Sequence, residues 1–368
     1  MQITDVNVTQ YRRPSEAGGT DYSAEIQIVE IQTDGDITGI GFASAPSRTG
    51  DLVTRMILDL LKPRLIGKDP NTNHDIWNDL YWEAAPRRGG DGMMRTALAA
   101  VDFALWDIKG KAAGLPVAKL LGKFREDVPS YANCAHHLPA EELAQRASEY
   151  VAAGHKALKV RGSATFVSLA EATDRVRHVR NAIGPDVRLM VDVNCTWDVD
   201  TAIQQLKAWE PYDVYWLEEP VPPHDMTGYS RIRERSGSTY IVGGEQNVGP
   251  VEFEALISAG VDILQPNAMV AGGITPWLAL HALATSHSVP VSPWNLQLVH
   301  LHMAAGLPNV QWIEYFMPDN ALLAFQGELF ANTIQEVIRD DGVYLKAPTA
   351  PGLGIELDPD MANKCRVS

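Results

Sequence analysis

Three apolar runs in this chain end in acids: LMVDVN ends at Asp192, YWLEEP at Glu218 and VGGEQ at Glu245. Taken singly, each acid can simply cap the helix that follows. Brought together, three carboxylates repel one another unless a cation sits among them. Oxygen-only ligation favours a hard ion, Mg²⁺ before Mn²⁺ or Ca²⁺. In ALKVRG, Lys159 and Arg161 are two residues apart, so in an extended segment both point to one side. Two cations facing a metal site suit an anionic, small-molecule carboxylate. Arg161 suits bidentate capture, and its pKa rules it out as a base. Lys159 becomes a base if burial and cationic neighbours lower its pKa. Asn194, two beyond Asp192, places an amide beside that ligand. Glu314, in VQWIEYF, can donate to a developing oxyanion if it is protonated. One further run, ILQPNAMVAGG (263–273), ends in a neutral amide, Asn267.

These residues recur with a rhythm. Lys159, Asp192, Glu218, Glu245, Asn267, Trp294 and Glu314 lie 33, 26, 27, 22, 27 and 20 residues apart. A strand-loop-helix-loop unit of ~25 residues repeated about eight times is the arithmetic of an α/β TIM barrel. A doubly wound sheet instead calls for a glycine-rich phosphate loop after its first strand, and none is found. The barrel is expected over 125–319. Before it, 1–124 reads as α+β. ITDVNVTQYRR and SAEIQIVEIQTDGDITGIGFA alternate as antiparallel strands, and helical patterns follow over 51–63 and near 93–112, the second stopped by Gly114-Leu115-Pro116. Residues 320–368 leave the barrel rhythm, and the strand-like VYLKAP is expected to return to the N-terminal domain.

The bulk properties exclude several classes. With 368 residues, 45% hydrophobic, and a net charge of −15, the chain lacks the basic footprint of a nucleic-acid binder. Three cysteines, Cys134, Cys195 and Cys365, give no pairing framework, which fits a reducing compartment. The first residues alternate without a signal-peptide core, and no apolar run approaches the ~20 residues of a membrane span. A cytoplasmic protein without membrane partners is expected.

The strand contexts of Asp192, Glu218 and Glu245 resemble the enolase superfamily, and the whole pattern most resembles its mandelate racemase-like subgroup. TALAAVDFALWDIKGKAAGLPVAKLLG (96–122) is similar to the helix and linker closing that group's capping domain. KVR resembles its Lys-x-Lys motif, and LEEP, GGE, QPNAMVAGGIT and APTAPGLGIELD are similar to further signatures. The resemblance implies an N-terminal α+β capping domain, completed by the C-terminal segment, over a modified barrel. It also implies one Mg²⁺ per chain holding a substrate carboxylate, a base removing the neighbouring proton, an enediolate stabilised by the metal, and a homo-oligomer.

The sequence departs from the subgroup at three acid/base positions. Arg161 replaces the second Lys, Asn267 the sixth-strand Asp, and Trp294 the His that this Asp supports. The last two changes make sense together, because without the His a buried carboxylate has no partner. Asn267 can still donate to substrate or to backbone, and Trp294 can form an apolar wall. His300 and His302 sit in a helical pattern, with one of them expected to face the core. His136 and His137, just past the first barrel strand, are better placed at the mouth, with His136 assigned to substrate. Tyr22 and Arg48 lie in loops that can close over it. Racemisation needs acid/base groups on both faces of the reacting carbon, and dehydration needs only one. The expected reaction is therefore dehydration of a sugar acid. Racemisation, epimerisation, cycloisomerisation and a binding protein without catalysis are the alternatives.

Overall fold

Alternating apolar residues build three antiparallel strands at the start of the computed structural model: β1 (Ile3–Arg12), β2 (Glu25–Thr33) and β3 (Thr38–Ala45), in the order β1-β2-β3. The structure describes residues 1–13, 25–45, 49–84, 90–134, 138–162, 168–318 and 320–367. One face of this sheet is covered by the helix Met93–Ala113, whose Leu98, Val101, Leu105 and Ile108 form a stripe in one core with Val29 and Ile31. Contact is close because β3 carries glycines: a Cβ on Gly39 or Gly41 would lie 2.2 or 2.0 Å from the carbonyl oxygens of Ala104 and Ala100. Gly114 ends the helix in the left-handed conformation. The helix expected over 51–63 is present, as Gly50–Arg55 running into a π-helical Met56–Leu61.

Parallel strands follow: β4 (Asp127–Asn133), β5 (Ala157–Arg161), β6 (Arg188–Asp192), β7 (Val214–Glu218), β8 (Tyr240–Gly243), β9 (Ile263–Leu264) and β10 (Ile313–Phe316). Strands β4 to β9 pair in sequence order. Bridges Leu264–Val291 and Val291–Val310 carry the ring onward, and β10 pairs back to β4. The seventh stave is thus a single bridge at Val291. Tyr131, Ala157, Met190, Trp216, Val242 and Ile263 form one cluster within the ring. The crossover helices pack outside it in the larger core, through residues such as Val176, Leu206 and Phe253.

The C-terminal segment behaves differently from the expectation. VYLK forms β12 (Gly342–Lys346), which folds back on β11 (Glu336–Arg339) through Asp340-Asp341 and pairs with the start of β4. A two-residue acidic turn followed by glycine favours a hairpin, and the hairpin caps the barrel instead of extending the N-terminal sheet. The return to that sheet is made by the last residues, where Arg366 bridges Tyr11 and Val367 N donates to Gln10 O at 2.8 Å.

The N-terminal domain grips the barrel beside ILQPN. Asp102 accepts from Thr275 N at 2.9 Å and Thr275 Oγ1 at 2.6 Å. Trp106 Nε1 donates to the same hydroxyl, Arg95 Nη1 to Ala271 O and Trp77 Nε1 to Gly272 O. Gly273, at φ 131°, could not carry a side chain: its Cβ would lie 2.3 Å from Asp102 Oδ2. The glycine pair that closes ILQPNAMVAGG therefore serves this junction. Among the described residues no helix is long and apolar enough to cross a membrane.

Candidate active site

Strand register places the first acids. Arg161, Asp192 and Glu218 are neighbours across β5, β6 and β7, and Lys159 lies one layer deeper, beside Asn133 and Met190. Residues paired across a parallel sheet share a face, so Arg161, Asp192 and Glu218 face the barrel interior at its C-terminal rim, where barrel enzymes carry their chemistry. Glu245 lies two residues past β8. All three acids are buried. Lys159 is fully buried, and Arg161, at the rim, is 31% exposed.

The surroundings of Lys159 differ from those set as the condition for a base. Its Nζ lies 2.7 Å from Glu218 Oε1 and 2.8 Å from Glu314 Oε1. Burial works against the ammonium, but Glu218 and Glu314 outweigh it and hold the pKa well above the ordinary lysine value. A base needed cationic neighbours, and here the neighbours are acids. Arg161 instead leans towards Asp192, with Nη2 at 3.8 Å from Oδ2. Glu314 accepts from Lys159, from Asn133 Nδ2 at 2.7 Å and from Asn295 N at 3.2 Å. So placed, both of its oxygens have partners. Asn133 is held in turn by Asn320 Nδ2, at 3.0 Å from its Oδ1.

The acids themselves are short of donors. Glu218 Oε2 and Glu245 Oε2 are buried without a hydrogen-bond partner among the described residues. Burial pushes the Glu218 carboxyl up to about 8 despite Lys159. Burial, then repulsion from Glu219, Asp192 and Glu218, raises Glu245 well above the ordinary range. As they stand, no three His, Cys, Asp or Glu side chains among the described residues are arranged to ligate one ion. The donor chemistry nonetheless fits a hard divalent cation, because buried carboxylate oxygens lacking protein donors are the ligands such an ion takes. Asn194, at φ 41°, has left the strand and escapes the two-residue parity expected of it. Its N donates to Asp192 Oδ1 at 2.8 Å, and its own Oδ1 has no partner among the described residues. A fifth buried acid, Glu219, escapes sequence reasoning because strand alternation would turn it outward; at φ 45° the chain leaves the strand conformation and keeps it inside.

After β9 the described residues singled out from the sequence are Asn267, Trp294, His300 and His302. Asn267 is buried, and its Oδ1 caps the short helix Ala268–Ala271, accepting from Met269 N at 2.7 Å and Val270 N at 3.3 Å. This cap commits the oxygen of an amide expected to face substrate. Asn267→Ala should therefore cost about 1 kcal/mol of stability and leave Mg²⁺ affinity unchanged; unaltered thermal unfolding with collapsed substrate affinity would return the residue to the substrate. Trp294 is half-buried beyond the Val291 bridge. Both His300 and His302 are buried and spoken for. His300 accepts from Ala268 N at 3.1 Å and donates to Asn295 O, and His302 accepts from Ala118 N at 3.2 Å and donates to Leu353 O. Burial takes each down to about 4, so neither is a charged replacement for the missing His. His136, His137, Tyr22 and Arg48 lie outside the described residues.

The chain is similar to known proteins along nearly its whole length. The family model of the mandelate racemase / muconate lactonizing enzyme N-terminal domain matches residues 2–122, and that of the enolase C-terminal domain-like unit matches 142–361. L-talarate/galactarate dehydratase of Salmonella typhimurium is 34% identical over 307 residues, 83% of this chain and 76% of the relative. 3,6-anhydro-alpha-L-galactonate cycloisomerase of Streptomyces coelicolor is 32% identical over 336 residues, 91% of this chain and 89% of the relative. The crystal structure of L-talarate dehydratase from Polaromonas sp. JS666, complexed with Mg and L-glucarate, superposes with a TM-score of 0.86 at 32% identity, covering 100% of this chain and 98% of that one.

Proposed function

Because the chain belongs to the mandelate racemase / muconate lactonizing enzyme family of the enolase superfamily, we propose that it is a Mg²⁺-dependent lyase that removes the proton next to a carboxylate and expels water from a sugar acid. One asymmetry carries this reading. Buried acids with unpartnered oxygens and a rim arginine occupy one side of the barrel mouth. Further round the ring, the residues at the corresponding strand ends are Asn267 and Trp294, which cannot exchange protons. A reaction with acid/base groups on both faces is disfavoured by that arrangement, and elimination is not. Relatives named as dehydratases of sugar acids support the same choice.

Asp192, Glu218 and Glu245 would hold Mg²⁺, which when bound supplies electrophilic stabilisation of the charge developing on the substrate carboxylate. Arg161, with Nε unpartnered among the described residues, binds a substrate carboxylate or hydroxyl at the rim. Lys159 positions Glu218 and Glu314 and is the group proposed to take the α-proton and return it to the leaving hydroxide, for which its own proton first passes to one of the two acids it touches. Trp294 shields the far face from water. His136, three residues after the end of β4, is assigned to the substrate by its place in the sequence.

The test is incubation with Mg²⁺ in D₂O and a panel of sugar acids, followed by NMR. A 2-keto-3-deoxy product is expected. Exchange of the α-proton without loss of water, or conversion of a lactone or anhydro sugar acid, would replace the dehydratase by a racemase or by a cycloisomerase like the Streptomyces relative. Tight binding with neither exchange nor product would leave a binding protein.

A further inference from the structure

The three loops expected to carry the metal ligands are tied together by a residue that is not itself a ligand. Glu219 follows Glu218, and its backbone spans both neighbours: its N donates to Val242 O at 3.0 Å, and its O accepts from Cys195 N at 2.8 Å. Its carboxylate reaches the same two loops. Gln246 Nε2, next to Glu245, donates to both Glu219 oxygens at 3.2 and 3.1 Å, and the Cys195 thiol donates to the same carboxylate. Gln246 Nε2 also lies 3.5 Å from Cys195 Sγ. The segments at the C-terminal ends of β6, β7 and β8, where Asp192, Glu218 and Glu245 lie, thus converge on one buried side chain.

The backbone is bent to allow this. Asn194, Cys195 and Glu219 have φ of 41°, 57° and 45°, a conformation that L-residues avoid. None of the three is glycine, and strain of this kind persists only where surrounding contacts enforce it. A buried acid beside three others is also a poor choice for stability alone, since Glu219 adds like charge facing Asp192 and Glu245.

We propose that Glu219 is a positioning residue: with Gln246 and Cys195 it clamps the three ligand-bearing loops at the separation Mg²⁺ requires. The clamp rests on the functional reading above. Partners of this kind orient ligands, and their loss lowers metal affinity by 10–100-fold.

Two variants separate positioning from bulk charge and from folding. Glu219→Gln removes the charge. Gln246→Leu leaves the charge and removes the tie, and its site on the surface makes it the safer variant to fold. Mg²⁺ affinity is measured by calorimetry, Mn²⁺ in the site by electron paramagnetic resonance, and unfolding of the metal-free protein by differential scanning. The clamp requires that both variants bind Mg²⁺ 10–100-fold more weakly and change the Mn²⁺ spectrum, while Gln246→Leu melts like the wild type. Loss confined to Glu219→Gln would reduce its role to charge and overturn the clamp. A lowered melting temperature with unchanged Mg²⁺ affinity would make the cluster structural and overturn it equally. A wild-type chain that binds no Mg²⁺ would sink the functional reading and the clamp with it, whereas a wild type that binds as well as its variants sinks the clamp alone.

Discussion

Lys159→Met should destabilise the metal-free protein by about 3–5 kcal/mol, the cost of removing one partner from a buried ion pair. Two buried acids, Glu218 and Glu314, share the Lys159 ammonium at 2.7 and 2.8 Å. Methionine fills much of the same volume without charge, so the loss reports the unpaired carboxylates and not a cavity. Mg²⁺ should then restore more stability to the variant than to the wild type, because the ion becomes the main countercharge left to Glu218. Thermal unfolding with and without Mg²⁺ measures both effects. Unchanged melting temperatures would overturn the ion pair as a source of stability and leave Lys159 with proton transfer alone.

Glu245→Gln should act with opposite signs on stability and binding. Glu245 Oε2 is buried without a partner among the described residues, and Glu219, Asp192 and Glu218 repel its charge. A neutral isostere removes that repulsion, so the metal-free protein should gain on the order of 1 kcal/mol. The same change removes a carboxylate from the cation's ligands and should weaken Mg²⁺ by ~100-fold or more, at least the upper end of what outer partners cost. Calorimetry and differential scanning on one preparation check both. Retained Mg²⁺ affinity would exclude Glu245 from the ligand set. Trading stability for a charged site in this way is expected where function, not folding, selects the residue.

The acids Asp192, Glu218 and Glu245 were legible because each ends or closely follows an apolar run, and runs at ~25-residue intervals imply consecutive strands. The ring itself follows from that interval, even though its seventh stave shrinks to Val291. What escaped was everything set by partners distant in the sequence or by unusual backbone. Glu314 lies far along the chain from Lys159, and only closure of β10 onto β4 brings them together. Asn267 looked like a strand-end residue facing substrate because a helix cap and a site residue occupy the same point of a βα loop. Two-residue alternation does not extend to Asn194 and Glu219, where left-handed φ values end the strand geometry on which it depends. His300 and His302 share one helix, Gln297–Gly306, which is buried along most of its length, so neither one faces water.

The junction at Gly272-Gly273 bears on motion. Asp102, Trp106, Arg95 and Trp77 fasten the N-terminal domain to the loop that follows Asn267. Swinging that domain away as a rigid body would break all of these bonds at once and expose a buried carboxylate. The hinge is in effect bolted. A swing of the whole N-terminal domain about this junction is thus opposed, and substitutions at Gly273 or Asp102 would loosen it without touching the acids.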